Sequence, residues 1–120
     1  MNKRKIIFYS STGPDADDGA WRAFRYAERA ANADVEAEIV LVGPATGLMR
    51  RDARNRLEGK VRDSVDAVLA MDVPIWLSPG CAEYRGVTDV DLKETGAAVR
   101  EMGEMFQDIA AGAQLFPCDS

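Results

Sequence analysis

The residues of this 120-residue chain best equipped for covalent chemistry are its two cysteines, Cys81 and Cys118, and the chain has no histidine to serve as their base. Cys81 closes the run Ser78-Pro79-Gly80-Cys81, just after the apolar stretch Val73-Pro74-Ile75-Trp76-Leu77. Ala82-Glu83-Tyr84-Arg85 can make one helical turn from there before Gly86 stops it. Amide N–H groups and the dipole at the opening of a turn favour a thiolate, the form of cysteine that attacks sulfur and carries it. Arg85 can add positive charge four residues on, while Glu83 opposes it. The competing reading is a half-buried cysteine that packs as a small hydrophobe.

Cys118 stands two residues past the last expected strand, near the end of the sequence. One reading makes it a resolving thiol or second carrier that meets Cys81 within the chain or across a subunit interface. The plainer one, which we favour, is an ordinary tail cysteine on a flexible terminus. Without histidine, Ser-His-Asp and Cys-His catalysis and His-ligated metal are excluded within this chain. Two cysteines make neither a disulfide framework nor a complete zinc site, so no metal and no cofactor are expected.

The arginine-rich segment Arg50-Arg51-Arg54-Arg56-Lys60 could steer an acidic partner or hold an anionic sulfur species such as sulfite or thiosulfate. Asp52 and Glu58 interleave with it, so a solvated surface of helix-spaced ion pairs is the stronger expectation. No aromatic residues alternate with these arginines to stack bases, and the net charge is −5, so direct nucleic-acid binding is not expected. The charge is uneven: 11 basic against 9 acidic residues over 1–60, and 4 against 11 over 61–120.

Tyr9-Ser10-Ser11-Thr12-Gly13 echoes the phosphate loop of flavodoxins. Pro14 removes an amide there, and Asp15, Asp17 and Asp18 put negative charge where phosphate would lie, so Asp17 or Asp18 reads better as a helix cap.

The elements that must position these groups follow from hydrophobic patterning. Apolar runs at 5–9, 37–42, 73–77 and 113–116 read as strands, with Pro74 confined to a strand start or a bond-free position. Ala20, Phe24, Ala27 and Ala31 share one helical face, as do Val61, Val65, Val68 and Leu69. A third long helix is expected with Thr95 as its cap and Ala98, Met102, Met105, Phe106 and Ile109 along one side. Residues 45–59 read as less regular, and Asp89 as the start of a short acidic turn.

Apolar strands alternating with helices predict an α/β domain of three α/β/α layers, with a mainly parallel sheet of four to five strands in a flavodoxin-like arrangement. The whole of 1–120 forms one domain. Right-handed crossovers bring the segments 10–18, 43–47, 78–86 and 117–120 to one sheet edge. Ser78, Gly80 and Arg85, with Ser11 and Thr12 after the first strand, are thus the candidate pocket or thiolate-stabilising residues around Cys81. No apolar run is long enough to span a bilayer, and the start of the chain does not read as a signal peptide, so a cytoplasmic location is expected. Trp21, Phe24, Tyr26, Leu48 and Met49 offer more apolar surface than a monomer of this size need cover, which suggests a homo-oligomer.

The segment Ser78-Pro79-Gly80-Cys81-Ala82-Glu83-Tyr84-Arg85-Gly86-Val87, followed by Thr95-Gly96-Ala97, resembles the cysteine loop and the Arg-Gly-aliphatic and Gly-Ala pattern of DsrE/DsrF-like proteins. Ser11-Thr12-Gly13-Pro14, Asp17, the Ala23-Phe24-x-Tyr26-Ala27 helix and the strand closing in Val42-Gly43 are similar to that family's N-terminal half. The resemblance implies a small oligomeric α/β protein, a trimer or hexamer among the options. It also implies a persulfide relay or sulfurtransferase-like role between donor and acceptor proteins, as in sulfur oxidation or tRNA thiolation. It aligns Ser78 with the sulfur-bearing cysteine of the best-known relay subunits and Cys81 with a second position where other members carry one. A relay role would therefore fall to Cys81. The alternative is a non-catalytic binding or assembly module on the same scaffold, and whether the chain is an enzyme stays open.

Overall fold

Lys5–Ser10 forms β1 because its residues alternate between two apolar environments. Phe8 faces a core shared with Phe24, Leu41 and Leu77, while Ile7 faces a second one with Val40 and Met105. The computed structural model describes residues 4–15 and 18–119. Its other strands are β2 (Glu36–Leu41), β3 (Ile75–Leu77), β4 (Ala98–Val99) and β5 (Gln114–Pro117), all parallel, in the order β4-β3-β2-β1-β5. The layered parallel plan is as expected. Its order differs from the flavodoxin order 2-1-3-4-5, because β1 here lies between β2 and β5.

The helices are α1 (Arg22–Asn32), α2 (Arg51–Asn55), α3 (Gly59–Ala70), α4 (Pro79–Tyr84), α5 (Asp89–Thr95) and α6 (Met102–Ala110). α1 and α3 bury Ala23, Phe24, Ala27, Val65 and Val68 on one sheet face, as their spacing predicts. α6 packs Met102, Met105 and Ile109 on the other. Pro74 precedes β3, where its carbonyl still accepts from the Ile39 amide at 2.9 Å. Among the described residues no helix is long and apolar enough to cross a membrane.

Several expectations need correction. A 3-10 turn over Asp18–Trp21 precedes α1, whose N-cap is Trp21 without a side-chain hydrogen bond; Asp17 lies outside the described residues. Residues 43–49 form a 3-10 segment that leads into α2. The acidic turn at Asp89 is a helix closed by a capping box: Thr88 Oγ1 accepts from the Asp91 amide at 3.2 Å, and Asp91 Oδ2 accepts from the Thr88 amide at 3.0 Å. Thr95 ends that helix rather than starting the next, because Gly96 at φ 74° is a left-handed C-cap. Ala98 consequently belongs to β4.

The oligomer argument also changes its residues. Trp21, Phe24, Leu48 and Met49 are buried within this chain, whereas Phe106 is 62% exposed and Leu115 and Phe116 stand out on the edge strand β5.

Candidate functional site

The carboxyl ends of β1, β2 and β3 open onto one edge, as the crossovers require. Close approach there depends on Gly13, since a Cβ on it would fall 2.7 Å from the Pro44 Cβ. Pro14, Asp15, Pro44, Arg50, Arg56 and Arg85 line a crevice of about 180 Å³ between the three loops.

Cys81 lies in the first turn of α4, after Ser78 as N-cap and Pro79. Its thiol is half-buried and free. The turn is held from both sides: the Ser78 amide donates to Leu41 O at 3.1 Å, the Ala82 amide to Ser78 O at 2.9 Å, and the Arg85 amide to Cys81 O at 3.0 Å. The Ser78 side chain makes no capping hydrogen bond. A Cβ on Gly80 would meet nothing within 4 Å, so open space lies beside the thiol-bearing turn.

Arg85 does not turn back on the thiol. Its guanidinium carbon lies 5.3 Å from the Tyr84 ring centroid, and its carbonyl accepts from Arg50 Nη1 at 3.1 Å. Among the described residues no hydrogen bond or ion pair joins the Arg85 side chain to Cys81.

Ser11 and Thr12 have a different partner altogether. Their hydroxyls donate to Asp119 Oδ2 and Oδ1 at 2.8 and 2.7 Å, and the Ser11 amide donates to the same carboxylate at 2.9 Å. These bonds hold Asp119 ionised despite the burial that opposes it. Asp119 escaped the sequence reading because its partners lie more than a hundred residues away, and nothing local marks it.

Cys118 is only 1% exposed and belongs to the main core. Its thiol donates to Phe116 O at 3.5 Å, and burial, helped by the Asp119 charge, pushes its pKa to about 11. It is therefore no flexible tail residue. Nor is it a resolving partner of Cys81 within the chain. β3 and β5 are three ladder steps apart, or about 14 Å at ~4.8 Å per step, whereas a disulfide needs Cα atoms within about 7 Å.

The arginines divide by partner. Arg50 forks onto Asp52, at 3.1 and 3.2 Å, and Arg56 reaches the same carboxylate at 3.6 Å. Arg51 and Arg54 instead tie α2 to α5, with 2.6 and 2.8 Å bonds to Glu94, while Asp91 accepts from the Arg51 amide at 3.0 Å. These bonds hold Glu94 near pKa 2. Ion pairing within one helix face was expected; the link across to α5 was not. Among the described residues no group of three or more His, Cys, Asp or Glu side chains is arranged for a metal.

A five-stranded all-parallel sheet with helices on both faces and its loops gathered at the carboxyl edge defines a three-layer α/β protein. The chain belongs to the DsrE/DsrF-like family, whose pattern matches residues 4–116. The structure is similar to that of the ychN protein from E. coli, with TM-score 0.72 and 17% identity over 95% of this chain and 98% of that one. It is also similar to BT1422 from Bacteroides thetaiotaomicron, a conserved protein of unknown function, with TM-score 0.69 and 19% identity over 94% and 93%. Both likenesses speak to the fold. No curated protein matches the chain.

Proposed function

We propose that this protein is a cytoplasmic sulfur carrier of a relay, holding sulfane sulfur as a persulfide on Cys81. The observation that supports this reading most is the contrast between its two thiols in a DsrE/DsrF-like chain. Cys81 is half-exposed on a short helix at the carboxyl edge of the sheet, whereas Cys118 is sealed in the core with its thiol held protonated.

In the transfer the Cys81 thiolate attacks the outer sulfur of a donor persulfide, R–S–SH. A bond forms between Cys81 Sγ and that sulfur, the donor's S–S bond breaks, and the donor leaves as the thiolate R–S⁻. No net oxidation occurs. An acceptor thiolate repeats the exchange on Cys81–S–SH and releases the Cys81 thiolate. The anchored Ser78–Arg85 turn keeps the sulfur at the surface, and the neighbouring arginine-lined crevice suits an anionic donor or an acidic partner surface. The exposed Phe106, Leu115 and Phe116 fit burial in a homo-oligomer.

The test is intact-mass measurement after incubation with a sulfane-sulfur donor. A gain of about one sulfur atom, lost in Cys81→Ser and kept in Cys118→Ser, is expected. No adduct in the wild type, or an adduct that survives Cys81→Ser, overturns the carrier and favours the binding or assembly module.

A further inference from the structure

The chain runs β1, β2, β3, β4 outward in one direction and then returns to place β5 on the other side of β1. The switch point of the sheet is therefore the gap between the carboxyl ends of β1 and β5, the place where open parallel sheets bind ligands. Here the gap is filled from within. Asp119 Oδ1 accepts from Ser10 Oγ at 3.1 Å, the Ser11 amide at 2.9 Å and Thr12 Oγ1 at 2.7 Å; Oδ2 accepts from the Ser11 amide at 3.2 Å and Ser11 Oγ at 2.8 Å.

Three consecutive hydroxyl residues thus converge on one anion. Ser10 is fully buried and its Oγ also accepts from the Thr12 amide at 3.2 Å, so the turn is braced by a bond of its own besides those to Asp119. Nor does the tail depend on Asp119 for its place. The Cys118 amide donates to Tyr9 O at 2.7 Å, and Arg22 Nη1 donates to Cys118 O at 3.2 Å.

We propose that the Ser10-Ser11-Thr12 turn is a binding site for a small, singly charged oxyanion of carboxylate or sulfonate type, and that Asp119 occupies it in the ligand's absence. The charge class follows from the donors. All are hydroxyl or amide groups, and among the described residues no ammonium or guanidinium pairs with the Asp119 carboxylate, so a second negative charge would go uncompensated. The site lies at the β1/β5 end of the edge and is independent of any role for Cys81.

An intramolecular occupant acts at a high effective concentration, so the wild type masks weak external binding. Asp119→Gly deletes the CH₂–COO⁻ group that acetate reproduces, which makes acetate the probe. Amide resonances of Ser11 and Thr12 in Asp119→Gly are expected to shift saturably with acetate or methanesulfonate, with Kd at least about tenfold lower than in the wild type and lower than for sulfate. The shift is expected to vanish when Ser11→Ala and Thr12→Ala are added. Asp119→Ala, which removes the carboxylate and keeps the tail's Cβ, provides the same measurement with formate as the probe should the glycine variant fold poorly. A response linear in acetate, one that survives the double alanine change, or tighter binding of sulfate overturns the proposal.

Discussion

The Cys118 amide donates to the Tyr9 carbonyl at 2.7 Å, extending the β1–β5 ladder one residue past Pro117 and drawing the Cys118 side chain under the sheet edge. Cys118 is accordingly packed in the core while Cys81 stays half-buried. A thiol pKa near 11 leaves about a hundredfold less thiolate than an ordinary cysteine has at neutral pH, before access is considered. Native alkylation at pH 8 is expected to modify Cys81, and Cys81→Ser is expected to react at least about tenfold more slowly than the wild type. Peptide mapping that finds Cys118 labelled first would contradict this assignment.

The same thiol ties stability to alkaline pH. Its pKa is raised in the folded state, from 9.0 to about 11, so the folded chain keeps a proton that the unfolded chain gives up. The stabilisation is complete below pH 9 and is lost as pH rises toward 11. Urea titrations at pH 8, 9, 10 and 11 are expected to show a decline in this window that is shallower in Cys118→Ala. Parallel curves for the two proteins would show that Cys118 does not titrate there.

At the other end of the scale, Glu94 is held near pKa 2 by Arg51 and Arg54. A depressed carboxylate stabilises above its ordinary value near 4.5, and the contribution disappears as pH falls toward 2. Glu94→Gln is expected to lower stability at pH 7 and to converge with the wild type as pH falls toward 2, which flattens acid unfolding between these values. Asp91 also closes the cap of α5, so Asp91→Ala is expected to cost about 1–2 kcal/mol at neutral pH. Equal acid profiles for wild type and Glu94→Gln would rule out the α2–α5 link as the source.

Two glycines beside the candidate site make a matched pair. Gly13→Ala would put a Cβ 2.7 Å from the Pro44 Cβ, so the loops must part, at a cost of about 1–3 kcal/mol. Gly80→Ala meets nothing within 4 Å and sits in the first turn of α4, so it is expected to be neutral or to stabilise by up to about 1 kcal/mol. Thermal unfolding of the two variants distinguishes packing from flexibility as the reason for each glycine.

Strands β1, β2 and β3 and helices α1 and α3 were legible because each is a continuous apolar run or a clean helical stripe. What escaped was set by tertiary context. β4 is two residues long, and Ala98-Val99 carries no period of its own. Thr95 looked like a cap because it precedes a helical stripe, but Gly96 at its left-handed φ turns the chain first. The site was legible by place and less so by partnership. Cys81 lies on the loop edge that its sequence neighbours indicate, while the partner of Ser11 and Thr12 and the seal over Cys118 depend on a strand more than a hundred residues away.

The position of β5 beside β1 bears on how the chain is made. Ile6 pairs with Gln114, so β1 must wait for a strand more than a hundred residues later before both its sides are bonded. Until then it is an open edge able to template pairing with another nascent copy. A product truncated before residue 113 would keep β2, β3 and α1 to assemble around but would leave that edge bare. Strand β5 thus gives β1 its second neighbour and moves the open edge outward, to a strand that carries the exposed Leu115 and Phe116.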